Sequence, residues 1–180
     1  MEQKMYLITG LMASGKSTVS ELLAASLEKC VHLRGDVFRK MIVSGREEMS
    51  ASPSAEAVRQ LQLRYRLTAD AAKAYFANGF SVVVQDNYYG DDLKRMLTYL
   101  HPCPVALIVL CPDVETIKNR ELHRGKTGYS GFAADALYEA FLRTTPRIGF
   151  WLDNSAQTPQ ETVDAILNVP PVNSAEMGIE

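Results

Sequence analysis

Met5-Tyr6-Leu7-Ile8-Thr9-Gly10-Leu11-Met12-Ala13-Ser14-Gly15-Lys16-Ser17-Thr18 is the stretch on which the fold turns. Met5–Thr9 is a short apolar run with the look of a buried strand. It leads straight into G-x-x-x-x-G-K-[ST], met by Gly10, Gly15, Lys16 and Ser17. That spacing lets consecutive backbone N–H groups wrap one phosphate, with glycines permitting the path and the next helix presenting its positive N-terminus. The predicted nucleotide-binding set is Gly10, Ala13, Ser14, Gly15, Lys16, Ser17 and Thr18. Lys16 is expected to reach the β- and γ-phosphates and act in catalysis, and Ser17 to ligate Mg²⁺. The plain alternative is a chance glycine turn. The fixed positions coincide by accident in on the order of one chain in a hundred or fewer, and a strand before and a helix after lower that again. The loop holds no G-x-G-x-x-G, which excludes dinucleotide binding there.

Outward from the loop, β-branched runs alternate with longer helical patterns. Val31–Leu33, Ser81–Gln85, Val105–Leu110 and Gly149–Leu152 join Met5–Thr9 as five predicted strands of a parallel α/β sheet. Val82-Val83-Val84 and Ala106–Leu110 are continuous rather than alternating, as central strands covered on both faces should be. Helices are expected at Lys16–Leu27, Val37–Ser44, Ala55–Asn78, Asp91–Leu100, Asp113–His123 and Asp135–Arg143. Ser54 can cap the long one, with Gly79 after its last turn. Thr158-Pro159-Gln160-Glu161 is a capping box opening a last helix with Val163, Ile166 and Leu167.

The 180 residues fit one domain, here read as 1–168 with a lid at about 120–134 and a tail at 169–180. Nineteen Lys and Arg against 21 Asp and Glu give −2, so no global basic field draws the chain to nucleic acid or anionic membrane. Phosphate recognition has to be local. Cys30, Cys103 and Cys111 form no C-x-x-C pair and read as buried free thiols of a reducing compartment. The apolar run near the start is too short for a signal-peptide core, and the longest, Val105–Cys111, is too short for a span. A cytoplasmic protein without a membrane partner is expected.

A phosphate-binding loop does not name the reaction. No N-K-x-D is present, and Asp86-Asn87-Tyr88-Tyr89-Gly90 has one residue too many for D-x-x-G, which disfavours a GTPase. A nucleotide-binding switch stays open as the non-enzyme reading. After the second strand, Arg34-Gly35-Asp36-Val37-Phe38-Arg39 places Asp36 and Arg39 one turn apart on one helix face, at the sheet edge where open α/β sheets bind ligands. Asp36 is a candidate base and substrate or metal contact, the alternative being a helix cap. Asp86, closing the third strand, is a second candidate for a metal water or for orienting the acceptor. Which of the two is the base stays open. Beyond the fourth strand, Arg120, Arg124 and Lys126 gather beside three glycines and read as a phosphate-binding lid.

The order of P-loop, G-D-x-x-R, acidic third-strand end and R-x-x-x-R-G-K resembles the small P-loop kinases of the adenylate-kinase-like group. Within it the chain is most similar to chloramphenicol phosphotransferase-like and polynucleotide kinase-like proteins. The resemblance covers Met5 to Leu167. It implies a three-layer P-loop fold with sheet order 2-3-1-4-5 and a short lid, and ATP with Mg²⁺ as cofactors. It further implies a base at Asp36, an acceptor-contacting Arg39, and lid arginines at Arg120 and Arg124. The reaction expected is γ-phosphoryl transfer to a hydroxyl of a small molecule, an antibiotic or metabolite. Polynucleotide 5′-hydroxyl kinase and nucleoside or nucleotide kinase are the alternatives. Arg59, Arg64 and Arg66 could hold an acceptor phosphate, although solvated helix charge is the stronger reading. Among the aromatics, Tyr75 and Phe76 are expected in the core, as is Trp151, while Tyr88 is a candidate acceptor contact and Tyr65 and Tyr89 stay open. His32, His101 and His123 lack ligand-like spacing, so no zinc site is expected.

Overall fold

The computed structural model describes residues 3–50, 52–123 and 134–173. In chain order the elements are β1 (Met5–Gly10), α1 (Lys16–Ser26), β2 (Cys30–Arg34), α2 (Asp36–Lys40), α3 (Ala55–Ala77) and β3 (Ser81–Gln85). Then come α4 (Asp91–Leu100), β4 (Val105–Leu110), α5 (Val114–His123), α6 (Ala134–Thr144), β5 (Phe150–Leu152) and α7 (Pro159–Ile166). The strands lie β2-β3-β1-β4-β5, all parallel. This is the P-loop kinase-like fold, in the order the resemblance implied.

Every residue of β1, β3 and β4 is buried, which is why those runs are apolar without alternation. Alternate residues feed two cores. Met5, Leu7, Val82, Val84, Leu107 and Val109 pack with Tyr65, Ala69 and Ala72 of α3, Leu93, Met96 and Leu97 of α4, and Phe141 of α6. Tyr6, Ile8, Val83, Ala106 and Ile108 pack on the other face with Val19 and Leu23 of α1 and Val163 and Ile166 of α7. The sheet is thus sandwiched, and its carboxyl edge is left for the loops.

The local signals for α3 and α7 hold. Ser54 accepts the Ala57 N–H at 2.9 Å, and Thr158 and Glu161 cap each other reciprocally. Other edges differ. α2 stops at Lys40, short of the expected Ser44, because the next side chains find nothing to pack on: Met41 is 64% and Val43 97% exposed. Tyr75, expected in the core, is 43% exposed at the end of α3, whereas Phe76 and Trp151 pack against the core as expected. The three cysteines are free and half-buried. Val172 donates its N–H to the Val105 carbonyl at 2.9 Å, tying the start of the expected tail to β4. No helix among the described residues is long and apolar enough to cross a membrane.

Candidate active site

The loop between β1 and α1 leaves the sheet at Gly10, where φ is +142° and a Cβ would lie 2.3 Å from the Leu110 carbonyl oxygen of β4. Only glycine fits there. Ala13 also carries a positive φ, +64°, the sort of backbone strain that clusters at functional sites. The Lys16 ammonium turns back into the loop and donates to the carbonyl oxygens of Gly10 and Leu11, 2.6 Å each, while only 7% exposed. It therefore sits as a desolvated cation at the centre of the loop, while Ser17 and Thr18 face out.

On one side of the loop stand the ends of β2 and β3. Gly35 donates its N–H to the Gln85 carbonyl at 3.1 Å, and a Cβ at Gly35 would lie 2.1 Å from Asp86 Oδ2. The glycine before Asp36 thus lets the two acidic strand ends approach. Asp36, the first residue of α2, accepts from Lys40 Nζ at 2.7 Å and lies 3.5 Å from Arg34 Nε. Partial burial pushes its carboxyl pKa up, but the Lys40 hydrogen bond and the charges of Arg34, Lys40 and Arg64 outweigh this and hold it below the ordinary aspartate value. Asp86 is buried at 6% exposure, its Oδ1 accepting from Arg64 Nη2 and from the Asn87 N–H, both at 2.8 Å. Burial pushes Asp86 above the ordinary value, against the pull of Arg64, the Asn87 N–H and Lys16. Its Oδ2 has no hydrogen-bond partner among the described residues.

On the other side Arg120 of α5 donates to the Ser14 carbonyl at 3.2 Å and to the Asn154 carbonyl at 3.0 Å. Asn154 Nδ2 donates to the same Ser14 oxygen at 3.1 Å. Arg120 and Asn154 thus brace the loop through its Ser14 carbonyl. All of this opens into one cavity of about 740 Å³, lined by Ala13, Gly15, Lys16, Ser17 and Thr18 of the loop region and by Arg34, Asp36, Gln85, Asp86 and Asn87 beside it. Asn119, Arg120, His123, Asn154, Gln157 and Thr162 close its far side.

Two expected contacts fall away. Arg39 points from the cavity toward the segment after α2, where it pairs with Glu48. Tyr88 is 0% exposed and packs against Tyr65 in a tilted pair with ring centroids 4.9 Å apart, so it is a core residue and cannot touch an acceptor in this structure. Arg64 is likewise no solvated charge: its side chain is 12% exposed and bound to Asp86. Arg124 and Lys126 lie outside the described residues. The sequence reading missed Gln85 and Asn154, and undervalued Arg64. Arg64 could be suspected only from its place four residues after Gln60 and four before Thr68, a polar row on the buried side of α3.

A family profile described as an AAA domain matches residues 5–145. The chain belongs to this family. Solved structures similar to this chain include proteins named as kinases. The tunicamycin resistance protein of Deinococcus radiodurans superposes with a TM-score of 0.70 at 13% identity, over 99% of this chain and 98% of that one. A sugar kinase from Janibacter sp. HTCC2649 gives 0.65 at 18% identity, over 93% and 96%. A chain of the Pnkp1/Rnl/Hen1 RNA repair complex gives 0.61 at 18%, over 79% of this chain and 44% of its own length. No curated protein matches the sequence.

The Arg64–Asp86 pair makes a stability prediction for this AAA-domain protein. Arg64→Leu leaves Asp86 buried and uncompensated and is expected to cost about 3–5 kcal/mol by urea unfolding at pH 7. With the folded-state pKa of Asp86 raised, the folded state holds the proton more tightly than the unfolded chain. The variant's deficit relative to the wild type therefore shrinks as the pH is lowered toward the raised Asp86 pKa. A pH-independent loss under about 1 kcal/mol would show the pair to be inert.

Proposed function

We propose that the protein is a phosphotransferase that moves the γ-phosphoryl group of ATP to a hydroxyl of a small molecule in the cytoplasm. The observation that carries this reading is that the Asp36 carboxylate and the Lys16–Ser17 loop end line one cavity. The loop fits a triphosphate: its glycine at the closest approach, its strained Ala13 and its central ammonium are the parts such a group needs. Ser17 Oγ, Asp36 and the partnerless Asp86 Oδ2 are oxygen donors suited to Mg²⁺, directly or through water. When bound, Mg²⁺ would supply positive charge that offsets the phosphate charge.

Within that frame each residue has a task. Lys16 meets negative charge developing between the β- and γ-phosphates. Asp36 orients the attacking hydroxyl and accepts its proton on the carboxylate late in the transfer. Arg120 and Asn154 hold the Ser14 carbonyl and so fix the loop's path. Arg124 is proposed as a cation that meets charge on the transferring phosphoryl group. Arg120→Ala should lower kcat about tenfold or more with a smaller rise in the KM for ATP, because a misplaced loop costs the transfer step most. Steady-state kinetics check this, and unchanged kcat would make Arg120 an ordinary surface contact.

Antibiotics and metabolites with free hydroxyls are the acceptors to try first, in keeping with the antibiotic in the name of the Deinococcus neighbour. The charge balance of −2 argues against a polynucleotide. A panel of small alcohols, sugars, nucleosides, hydroxylated antibiotics and 5′-hydroxyl oligonucleotides, offered with γ-labelled ATP, tests the proposal. Label in small alcohols, sugars or antibiotics supports it. Label in oligonucleotides alone replaces it with polynucleotide kinase activity.

A further inference from the structure

Asn87, in the loop after β3, is held by both of its backbone groups. Its N–H donates to Asp86 Oδ1 at 2.8 Å, and its carbonyl accepts the Tyr65 hydroxyl at 2.9 Å. The residues on either side are fixed as well. Arg64 Nη2 donates to the Asp86 carboxylate at 2.8 Å, and the Tyr88 N–H donates to Thr9 Oγ1 at 2.9 Å. Consecutive residues of α3, Arg64 and Tyr65, thus clamp consecutive residues of the loop. The Asn87 side chain has no such use: its amide makes no hydrogen bond among the described residues, although Asn87 lines the cavity. A side-chain amide carries two N–H donors and an acceptor oxygen. On a backbone held this firmly, it offers a donor and an acceptor together at a fixed place.

The wall around Asn87 narrows what such an amide would meet. Ligand cavities are lined mainly by apolar side chains with a few polar groups among them. Among the described residues, the wall at the ends of β2 and β3 departs from that: it consists of Arg34, Asp36, Gln85, Asp86 and Asn87. Both carboxylates are met inside the protein, Asp36 by Arg34 and Lys40 and Asp86 by Arg64. A cationic acceptor would find each of them already neutralised, and an anionic one would approach two carboxylates. An aliphatic or aromatic acceptor would bury the wall's donors and acceptors unpaired, which is costly. The remaining match is an uncharged molecule dense in hydroxyls, each able to donate and accept.

We infer that Asn87 binds a second hydroxyl beside the one that is phosphorylated, and that the acceptor is an uncharged polyol such as a sugar or cyclitol. The inference rests on the kinase reading of this cavity and narrows its acceptor. In the transfer, the reacting hydroxyl oxygen bonds the γ-phosphorus, the bond from that phosphorus to the β-phosphate oxygen breaks to leave ADP, and the hydroxyl proton goes to Asp36. Asn87 takes no part in that exchange. It holds the neighbouring hydroxyl, and so fixes which oxygen of the polyol lies in line with the γ-phosphate.

The test offers γ-labelled ATP and Mg²⁺ with a set of pentoses, hexoses and cyclitols, with cyclohexanol and benzyl alcohol as single alcohols, and with thymidine as a base-bearing acceptor. At least one polyol should take the label about 100-fold faster or more than the single alcohols, because these leave the wall's polar groups unpaired. Asn87→Leu, with folding followed by circular dichroism, should lower kcat/KM for that polyol about 10- to 100-fold and raise its KM, while leaving the affinity for a non-hydrolysable ATP analogue unchanged. The variant should also narrow the gap between the polyol and the single alcohols, which a residue that only shaped the loop would not do. Label confined to single alcohols or thymidine overturns the inference and leaves the kinase reading standing, whereas label in no acceptor overturns both. Wild-type kcat/KM for the polyol in a folded Asn87→Leu overturns the role of Asn87. If Asn87→Leu does not fold, Asn87→Ala is measured in its place, with the same two outcomes.

Discussion

Asp36→Asn is expected to lower turnover about 100-fold or more while leaving the affinity for ATP and the folded stability nearly unchanged. The substitution keeps shape and leaves a carbonyl oxygen for the Lys40 hydrogen bond, but removes the base. Its contacts with Lys40 and Arg34 are partly solvated, and such pairs contribute about 0–1 kcal/mol. The pH dependence distinguishes the two aspartates. Asp36 sits below the ordinary aspartate value of 3.8, so it is ionised throughout the neutral range and loses its charge only as pH falls through that lower value. Asp86 sits above 3.8. With Asp36 as base, the group that takes the proton is ionised at neutral pH and Asp36→Asn loses turnover; retained specific activity in Asp36→Asn would transfer the role to Asp86.

Lys16→Ala should cut turnover by about two orders of magnitude or more, since it removes the ammonium held at the centre of the loop. The sequence gives no reason for Lys16 to matter to folding. The structure does, because its ammonium satisfies the Gly10 and Leu11 carbonyls at 2.6 Å each inside a nearly closed loop. Removing it leaves those oxygens short of a donor at a cost of about 1–3 kcal/mol, so a lower melting temperature should accompany the lost activity. Unchanged turnover in a folded variant would defeat the phosphate-loop assignment.

What could be read from sequence alone was local in chain and geometry. The Met5–Ser17 strand, turn and helix start, the Ser54 cap and the Thr158 box each depend on residues within a few positions of one another. So did the candidacy of Asp36 and Asp86, which follow from strand ends. What escaped was non-local. Arg64 reaches Asp86 across 22 positions, Arg120 reaches Ser14 across 106 and Asn154 across 140. No periodicity in any one segment encodes such pairs. Arg39 and Tyr88 failed for a different reason: both were placed by closeness in sequence to an aspartate. Glu48 claimed the first and the core took the second.

The deciding observation is whether label leaves ATP for a hydroxyl, and whether Asp36 is needed for it. Wild type and Asp36→Asn should therefore be compared with γ-labelled ATP, Mg²⁺ and the acceptor panel, with binding of an ATP analogue measured alongside. The expected result is equal analogue binding, a labelled phosphoester of a small molecule with the wild type, and about 100-fold less with the variant. Tight analogue binding by both proteins with no label in any acceptor would contradict the account and leave a nucleotide-binding switch.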